Sequence, residues 1–188
     1  PVGTGGAMRG LSHNQLLELG AQILLCNTYH LHLHPGEDTV AAGGGLHGFV
    51  HWEKPILTDS GGYQVYSLRH RSQIQDDGVT FKAPNGEDKF LSPEIAMEIQ
   101  FKLGADIIMC FDDCPPATGS KERIEKATSR SIAWAERCKK HHTKLCKQHN
   151  RRPLLFGIVQ GGLHDDLRTH CAKAVAFTHP PLPPNPYV

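Results

Sequence analysis

Short apolar segments alternate with longer segments of helical periodicity along most of the chain. Four apolar segments have the length and composition of β-strands, and the third is apolar on both faces, as in a buried parallel sheet. We predict strands at residues 22–27, 54–59, 105–113 and 153–162. Residues 1–6, which contain three glycines, are interpreted as the tail of an earlier strand.

The segments around these strands carry helix start and stop signals. Ser12 and Ser92 are placed as N-caps, Pro93 at a first helical position, and Gly20 and Gly104 just past two helix ends. The predicted helices are residues 12–20, 92–104, 120–149 and 165–177. The longest of them has an inward stripe at Ile124, Ala127, Ser131, Trp134, Ala135, Cys138 and Leu145. Alternating strands and helices indicate an α/β fold with parallel strands and right-handed crossovers.

Polar residues follow the predicted strands in a recurring way. The second, third and fourth strands finish in TDSGG, CFDDC and VQGG, and so they close on Asp59, Asp112 and Gln160. Because the carboxyl ends of parallel strands meet at one edge of a sheet or barrel, we expect these side chains to share a crevice. Gly61 and Gly62 would let a flat ligand approach the backbone. Any one of these sites could also be an ordinary strand-end turn, where Asp and Gly are common.

The chemistry of these side chains suits a purine. Carboxylates accept N–H bonds, whereas a glutamine amide both donates and accepts. A guanine edge offers N1–H and N2–H donors next to the O6 acceptor, and Tyr63 could supply a stacking ring. The residues permit a purine pocket, and an unrelated purine-binding barrel fits the same pattern.

Composition narrows the class of protein. The 188 residues, 39% hydrophobic and 21% charged, suffice for one globular domain. Lys plus Arg total 20 and Asp plus Glu total 19, so only a local patch could attract nucleic acid. We recognise no membrane-spanning apolar run and no signal peptide. Six cysteines without a CxxC pair favour a reducing, cytoplasmic location.

Three further patterns contain residues able to bind metals or phosphates. Histidines alternate at His30, His32 and His34, and a polar strand face or loop is favoured over a metal site there. A second set recurs every four residues on one predicted helix: Cys138, His142 and Cys146. Three consecutive turns cannot easily surround one tetrahedral ion, so a metal site is disfavoured here too. A basic run could contact tRNA phosphates, although a solvated helix face is favoured: Arg137, Lys139, Lys140, Lys144, Lys147, Arg151 and Arg152.

Five long segments then occur in a distinctive order. They are NTYHL (27–31), GGLHGFVHWEKPILTDSGGYQVYSL (44–68), GVTFKAPNGE (78–87), LSPEIAMEIQFKLGADIIMCFDDC (91–114) and LFGIVQGG (155–162). In this order they resemble the queuine tRNA-ribosyltransferases, also called tRNA-guanine transglycosylases. The resemblance implies a TIM (β/α)8 barrel with a zinc-bearing insertion. It also implies exchange of guanine at the tRNA anticodon wobble position for a 7-deazaguanine, preQ1 or queuine, in queuosine biosynthesis.

The resemblance implies roles for the strand-end residues. Asp59 matches a proton acceptor of the family that also lies against the bound base. Asp112 matches the aspartate that binds the N–H edge of the base, and Gln160 the glutamine that bonds its carbonyl. The rest of the substrate-binding loop is matched by Ser60, Gly61, Gly62 and Tyr63.

Two details of the CFDDC segment bear on the site. Asp113 stands where the family motif FDEC has a glutamate, which is one methylene longer. Cys114 resembles the bacterial form of the pocket, since eukaryotic relatives have valine there. We therefore expect preQ1 rather than queuine as the incoming base.

Three later motifs of the family do not occur in this sequence. They are a GGL strand end, an MFDCV-type segment with the nucleophilic aspartate, and a CxCxxC plus His zinc site. About five of eight barrel strands can be placed, so we expect residues 1–177 to form an incomplete barrel with a base pocket. Residues 178–188 form a divergent, proline-rich tail. Zinc is expected in full-length family members, with its ligands absent from this chain.

Two functions stay open from the sequence. The first is a transglycosylase that acts on the tRNA anticodon loop and a guanine or preQ1-type base. The second is a non-catalytic remnant or partner subunit, which keeps a purine pocket but lacks the nucleophile and could act in a homodimer or with another subunit. We expect this chain alone to be cytoplasmic and unattached to membranes, to lack turnover, and to bind purines weakly at most.

Overall fold

The structure is a computed structural model, and it describes residues 1–67, 72–116 and 118–176. The predicted tail at residues 178–188 lies outside the described residues. The elements in chain order are α1 (His13–Glu18), β1 (Leu24–Cys26), α2 (Thr28–Leu33), α3 (Glu37–Ala42), α4 (Gly45–Val50), β2 (Ile56–Thr58), α5 (Gly62–Ser67), β3 (Ser72–Ile74), β4 (Val79–Lys82), β5 (Asp88–Leu91), α6 (Pro93–Leu103), β6 (Ile107–Met109), α7 (Lys121–His149), β7 (Leu154–Phe156) and α8 (Asp165–Val175).

A parallel sheet in the order β1, β2, β6, β7 organises the fold. Val2 forms an isolated parallel bridge with Leu25 of β1, within the segment predicted as the tail of an earlier strand, although no strand is formed there among the described residues. Each predicted strand contains an observed one, but each observed strand has only three residues. Cys110 and Phe111 are buried although they lie beyond β6, so apolar sequence alone overestimated the strand lengths. The predicted α/β class with parallel strands is confirmed.

All four predicted helices are present, and the predicted cap residues flank the first two. The last helix ends at Val175, and its predicted end at residue 177 lies outside the described residues. The Ser12 and Ser92 hydroxyls accept backbone N–H groups of α1 and α6, and Pro93 opens α6. Gly104 ends α6 in the left-handed conformation, which glycine adopts without steric cost. The stripe predicted for α7 is buried at each of its seven positions. Within it, Trp134 stacks on Phe111, with ring centroids 5.0 Å apart.

The alternating histidines do not lie on a strand, and that interpretation was wrong. Residues 28–33 form α2, in which neighbouring positions are about 100° apart around the axis. His30 and His32 therefore point to different sides: His30 is exposed, while His32 Nδ1 lies 2.7 Å from Glu37 Oε2. Leu31 between them is fully buried. Alternation of polar and apolar residues over so few positions does not distinguish a strand from a short helix. α2 spans less than two turns, so the helical period cannot become visible in the sequence.

A second, antiparallel sheet was missed by the sequence analysis. It pairs β3 with β4 and β4 with β5, and it follows the carboxyl end of β2 by way of α5. Val79 and Phe81 are buried on one face, and Gly86 turns the chain with positive φ between β4 and β5. The signal was present, since VTFK alternates and an Asn-Gly pair follows it.

Candidate functional site

Three strand ends meet through the side chain of Asp112. The Ser60 hydroxyl, from the loop after β2, donates to Asp112 Oδ1 at 3.1 Å. The Gln160 amide, from the loop after β7, donates to Asp112 Oδ2 at 2.7 Å. Asp112 itself follows β6 and is only 8% exposed. The sequence-based expectation that these loops share one crevice agrees with these contacts.

Asp112 is a buried carboxylate that accepts hydrogen bonds from two neutral side chains. Its burial raises the pKa to about 6, while the hydrogen bonds from Gln160 and Ser60 act in the opposite direction. The nearby negative charges of Asp113 and Asp59 raise the pKa further. Near neutral pH the group is therefore largely ionised, and it is held by an amide and a hydroxyl.

Gly62 allows the loop after β2 to reach Asp112. A Cβ atom at this position would lie 2.7 Å from the carbonyl oxygen and 2.8 Å from Oδ1 of Asp112, closer than van der Waals contact permits. The Gly62 N–H donates to Ser60 Oγ at 3.1 Å, which orients the hydroxyl that donates to Asp112. Glycine is therefore needed at position 62 so that the loop can pack closely against Asp112. Gly61 is needed for a different reason, because its φ of 82° lies in the left-handed region that the turn requires.

Asp59 receives two N–H donors on each carboxylate oxygen. On Oδ1 the backbone N–H groups of Thr28 and Gly61 lie at 2.8 and 3.2 Å. On Oδ2 the side-chain amides of Asn27 and Gln64 lie at 2.5 and 3.0 Å. The Thr28 hydroxyl also donates to the Asp59 carbonyl at 2.5 Å. These neutral donors fix the orientation of the carboxylate beside the Asp112 cluster.

Sequence reasoning missed Asn27, Thr28 and Gln64. Asn27 and Thr28 come directly after β1, in the same place where Asp59 follows β2. Applying the strand-end rule to the first predicted strand, QILLCN, would have found Asn27. Gln64 lies on α5, a short helix with no signal in the sequence analysis.

The remaining predicted residues border the cluster in different ways. Tyr63 lies in the first turn of α5 and is 64% exposed. The Gln160 backbone N–H donates to the Cys171 sulfur on α8 at 3.3 Å. Cys114 is half-buried, and burial raises the pKa of its thiol. The roles assigned to these residues by resemblance stay predictions.

The histidine and cysteine patterns have other partners. Within residues 1–67, 72–116 and 118–176, no group of three or more His, Cys, Asp or Glu could hold a metal ion. His142 Nε2 lies 2.9 Å from the Pro153 carbonyl oxygen, and the buried Cys138 sulfur accepts the Phe111 N–H at 3.4 Å.

The basic run mixes exposed cations with internal ones. Four lysines of α7 are exposed: Lys139, Lys140, Lys144 and Lys147. Arg137 instead pairs with Glu94 at 2.6 Å, and Arg151 donates to the Gly104 carbonyl at 2.6 Å. The interpretation as a solvated helix face fits the four lysines. The helices of the described ranges include none that could span a membrane.

Two surface grooves formed by the described residues lie away from the strand-end cluster. One groove of about 460 Å³ lies between α3, α6 and α7 and is lined by Ala41, Glu98, Phe101, Lys102, Leu145 and His149. Another is lined by residues of α7 alone, from Glu136 to Thr143. Neither lining includes a residue of the predicted site, so the hydrogen-bonded cluster marks the candidate site better than cavity size does.

Known proteins match this chain along nearly its whole length. The family model for queuine tRNA-ribosyltransferase matches residues 1–181. Proteins named queuine tRNA-ribosyltransferase from Acetivibrio thermocellus, Prochlorococcus marinus and Thermosynechococcus vestitus are 51%, 50% and 52% identical to it over 173, 182 and 176 residues. These alignments cover 92%, 96% and 93% of this chain but 45%, 47% and 45% of the relatives. The chain thus spans about half the length of the curated relatives it matches.

Proposed function

Because the chain belongs to the queuine tRNA-ribosyltransferase family, we propose that its strand-end cluster binds the base that such an enzyme exchanges. The reaction replaces guanine at the tRNA anticodon wobble position by a 7-deazaguanine. The observation that supports the proposal is the buried Asp112 carboxylate with neutral donors. Such a carboxylate keeps its negative charge available for the N1–H and N2–H donors of a guanine-like edge.

Gln160 supplies the complementary donor. A primary amide has two N–H groups, and one of them serves Asp112 at 2.7 Å. The second N–H is assigned to the carbonyl oxygen of the base. Ser60 holds Asp112 from the other side, and the absence of a side chain at Gly62 leaves that approach open. Tyr63 is assigned a stacking contact with the base.

Asp59 is assigned the proton transfer. The incoming 7-deazaguanine loses a ring N–H proton as it attacks the ribose, and a carboxylate next to the base can accept that proton. Each oxygen of Asp59 already accepts two N–H donors, so one donor has to withdraw before a proton can bind. The Gln64 side chain on α5 is the donor best suited to withdraw, because α5 has only six residues, less than two helical turns.

The exchange reaction itself is proposed for a protein that also contains the later motifs of the family. The nucleophilic aspartate attacks C1′ of the guanosine, which gives a covalent tRNA intermediate that the incoming base then displaces. We infer that the parallel strands described here belong to an eight-stranded barrel, in which those motifs would complete the pocket. The alternative, a non-catalytic, purine-binding remnant or partner subunit of the same family, differs from this proposal in that it binds a base without exchanging it.

The incoming base is proposed to be preQ1 rather than queuine. This proposal rests on Cys114, which follows the base-binding Asp112 by two residues and is half-buried. A competition assay between the two bases, in a protein that completes the barrel, tests it. Preferential incorporation of queuine would overturn it.

Calorimetric titration of the chain with guanine tests base binding directly. Adenine is the matched control, because it lacks the O6 acceptor and the N1–H and N2–H donors. We expect saturable, one-to-one binding of guanine and none of adenine. Equal affinities for the two bases, or no binding of guanine, would remove the proposed pocket.

Base exchange needs a second experiment with labelled guanine and unmodified tRNA. The chain alone is expected to transfer no label. A chimera in which residues 1–176 of this chain replace the matching part of the Acetivibrio thermocellus relative should transfer it steadily. Steady transfer by the chain alone would contradict the assignment of the nucleophile to a later segment, and an inactive, folded chimera would contradict the proposed function.

A further inference from the structure

Asp113, the residue directly after Asp112, is held by two arginines of α7. Its carboxylate has no solvent exposure. Arg123 donates to both oxygens, with Nη2 2.6 Å from Oδ1 and Nη1 3.0 Å from Oδ2. Arg130 adds a third bond, from Nη1 to Oδ2 at 2.7 Å. Charge-assisted bonds in this forked geometry are among the strongest and most directional in proteins.

The backbone of Asp113 is fastened to the same helix. Its N–H donates to Ser131 Oγ at 3.0 Å, and the Ser131 hydroxyl lies 3.4 Å from its carbonyl oxygen. Arg123, Arg130 and Ser131 all belong to the 29-residue helix α7. Both the side chain and the main chain of Asp113 are therefore tied to one long element.

Two adjacent carboxylates thus face opposite ways with opposite partners. Asp112 points to Ser60 and Gln160, which are neutral, whereas Asp113 points to Arg123 and Arg130, which are cationic. Arg130 is itself 8% exposed in its side chain. The arginines neutralise the second carboxylate and leave the first without a cation of its own.

The same arginine reaches the antiparallel sheet. Arg130 Nε and Nη2 donate to Asp76 Oδ1 at 3.0 and 2.8 Å, in the turn between β3 and β4. Trp134 and Arg137 of α7 also donate to the carbonyl oxygen of Asp76, at 2.7 and 3.2 Å. Asp113 therefore lies at a junction of β6, α7 and the small sheet.

We propose that Asp113 is a positioning residue for base binding: clamped by Arg123 and Arg130, it fixes the adjacent Asp112 and keeps the positive charge of α7 away from it. Asp113 does not contact the base. The identity of the ligand rests on the proposed function, but the coupling between the two carboxylates does not. Removing the clamp should weaken base binding through Asp112 and alter the titration of Asp112 in the free protein.

Several titratable groups lie near Asp112 and influence the pH at which its carboxyl group ionises. Its charged neighbours are Asp59 in the loop after β2 and Asp113 in its own loop. Thiols that sense its charge lie at Cys110, Cys114 and Cys171. Asp113→Asn removes one negative neighbour and leaves two guanidinium groups unneutralised, so the Asp112 carboxylate becomes easier to form.

The first test follows the carboxyl carbon of Asp112 by NMR in the ligand-free chain. Asp113→Asn should lower the midpoint of this titration by about one pH unit. Arg123→Gln should move it in the opposite direction, because the variant lacks one positive charge close to the two carboxylates. Arg123 is one-third exposed, so this second variant is expected to fold even if Asp113→Asn does not. An unchanged midpoint in the folded variants would overturn the proposal.

The second test is a double-mutant cycle on guanine affinity. Asp113→Asn should weaken binding at least about tenfold in the otherwise unchanged chain, but less than about twofold when Asp112 is already Asn. Asp113→Glu, which keeps the charge, should recover most of the affinity. The control is Asp88→Asn, an exposed carboxylate paired with Lys82, and we expect it to change the affinity less than about twofold.

The outcomes separate the two proposals. Equal weakening with and without Asp112 would mean that the clamp only supports the fold, and the positioning role would be lost. A chain that binds no guanine but shows the opposite titration shifts would keep the coupling and remove the proposed function. A chain that binds guanine but shows no titration shifts would keep the proposed function and remove the coupling between Asp112 and Asp113.

Discussion

Two carboxylates at the carboxyl end of the parallel sheet, Asp59 and Asp112, have different partners from Asp106 at its amino end. At the carboxyl end, Asp59 and Asp112 accept hydrogen bonds from amide and hydroxyl groups. At the amino end, Asp106 accepts the Ile56 N–H at 2.8 Å and lies 2.9 Å from Nε2 of His47. Asp59 and Asp112 thus accept hydrogen bonds from neutral groups, whereas Asp106 is paired with an imidazole. Asp113, also at the carboxyl end, is instead paired with Arg123 and Arg130.

Under the proposed function, this difference separates residues that bind the base from residues that stabilise the fold. Burial raises the pKa of Asp112 to about 6 from an ordinary value of 3.8, so the folded state retains a proton that the unfolded state has lost between those pH values. Stability from this group is present below pH 4 and is lost as pH rises through 6, by on the order of 3 kcal/mol. An ionised Asp112 at neutral pH thus destabilises the fold, which agrees with the base-binding role proposed for it.

The largest expected effect is that of Asp59→Asn at the carboxyl end. In the chimera that completes the barrel, base exchange should fall about 100-fold or more, as for a lost general base. The fold should persist, because the Asn27 and Gln64 amides that face Oδ2 can rotate to present their oxygens to the new NH2 group. Circular dichroism and the rate of label transfer are measured together. Near-normal exchange would remove Asp59 from the mechanism.

Asp112→Asn should separate binding from stability. Guanine affinity is expected to fall about 30-fold, because a charge-assisted bond to the base is lost. The variant should be more stable than the unchanged chain at pH 8 and no more stable at pH 4, since the buried charge exists only at the higher pH. Urea unfolding at the two pH values measures this. Destabilisation at pH 8 would show that the carboxylate contributes to the fold after all.

The strand-end residues were predictable because three successive apolar runs close on polar side chains, and an ordinary turn explains one such residue more readily than three. Asp59, Asp112 and Gln160 were found in this way, and so was the parallel order of their strands. The donors to Asp59 were harder to find, because Gln64 becomes a neighbour only through the turn at Gly61 and Gly62. Likewise, no local pattern indicates that Asp113 meets Arg123 and Arg130, which lie 10 and 17 residues further along the chain.

At the amino end of the sheet, His47→Ala should affect stability without affecting binding. His47 Nδ1 donates to the Trp52 carbonyl at 2.7 Å and its Nε2 faces Asp106, so the ring joins α4 to the start of β6. Its loss should lower the free energy of unfolding by about 1–2 kcal/mol at pH 7. Guanine affinity should stay within about twofold. A tenfold loss of affinity in the folded variant would contradict the division between the two ends.

The smallest expected effect is that of Glu94→Gln. Glu94 is paired with Arg137, so its contribution to stability should depend on pH in a different way from that of Asp112. The hydrogen bonds from Arg137 lower the pKa of Glu94 to about 2, so its contribution to stability is present above pH 4.5 and is lost as pH falls through 2. Both side chains are 35% exposed, and solvent screening limits the effect to about 0.5–1 kcal/mol at pH 7. The loss of unfolding free energy caused by Glu94→Gln should be smaller at pH 3 than at pH 7. This pH dependence is opposite to that of the stability contributed by Asp112. Urea midpoints at the two pH values measure it, with the exposed Glu53→Gln as the control. If Glu94→Gln were neutral at pH 7, or cost more at pH 3, the pair with Arg137 would not contribute as its geometry indicates.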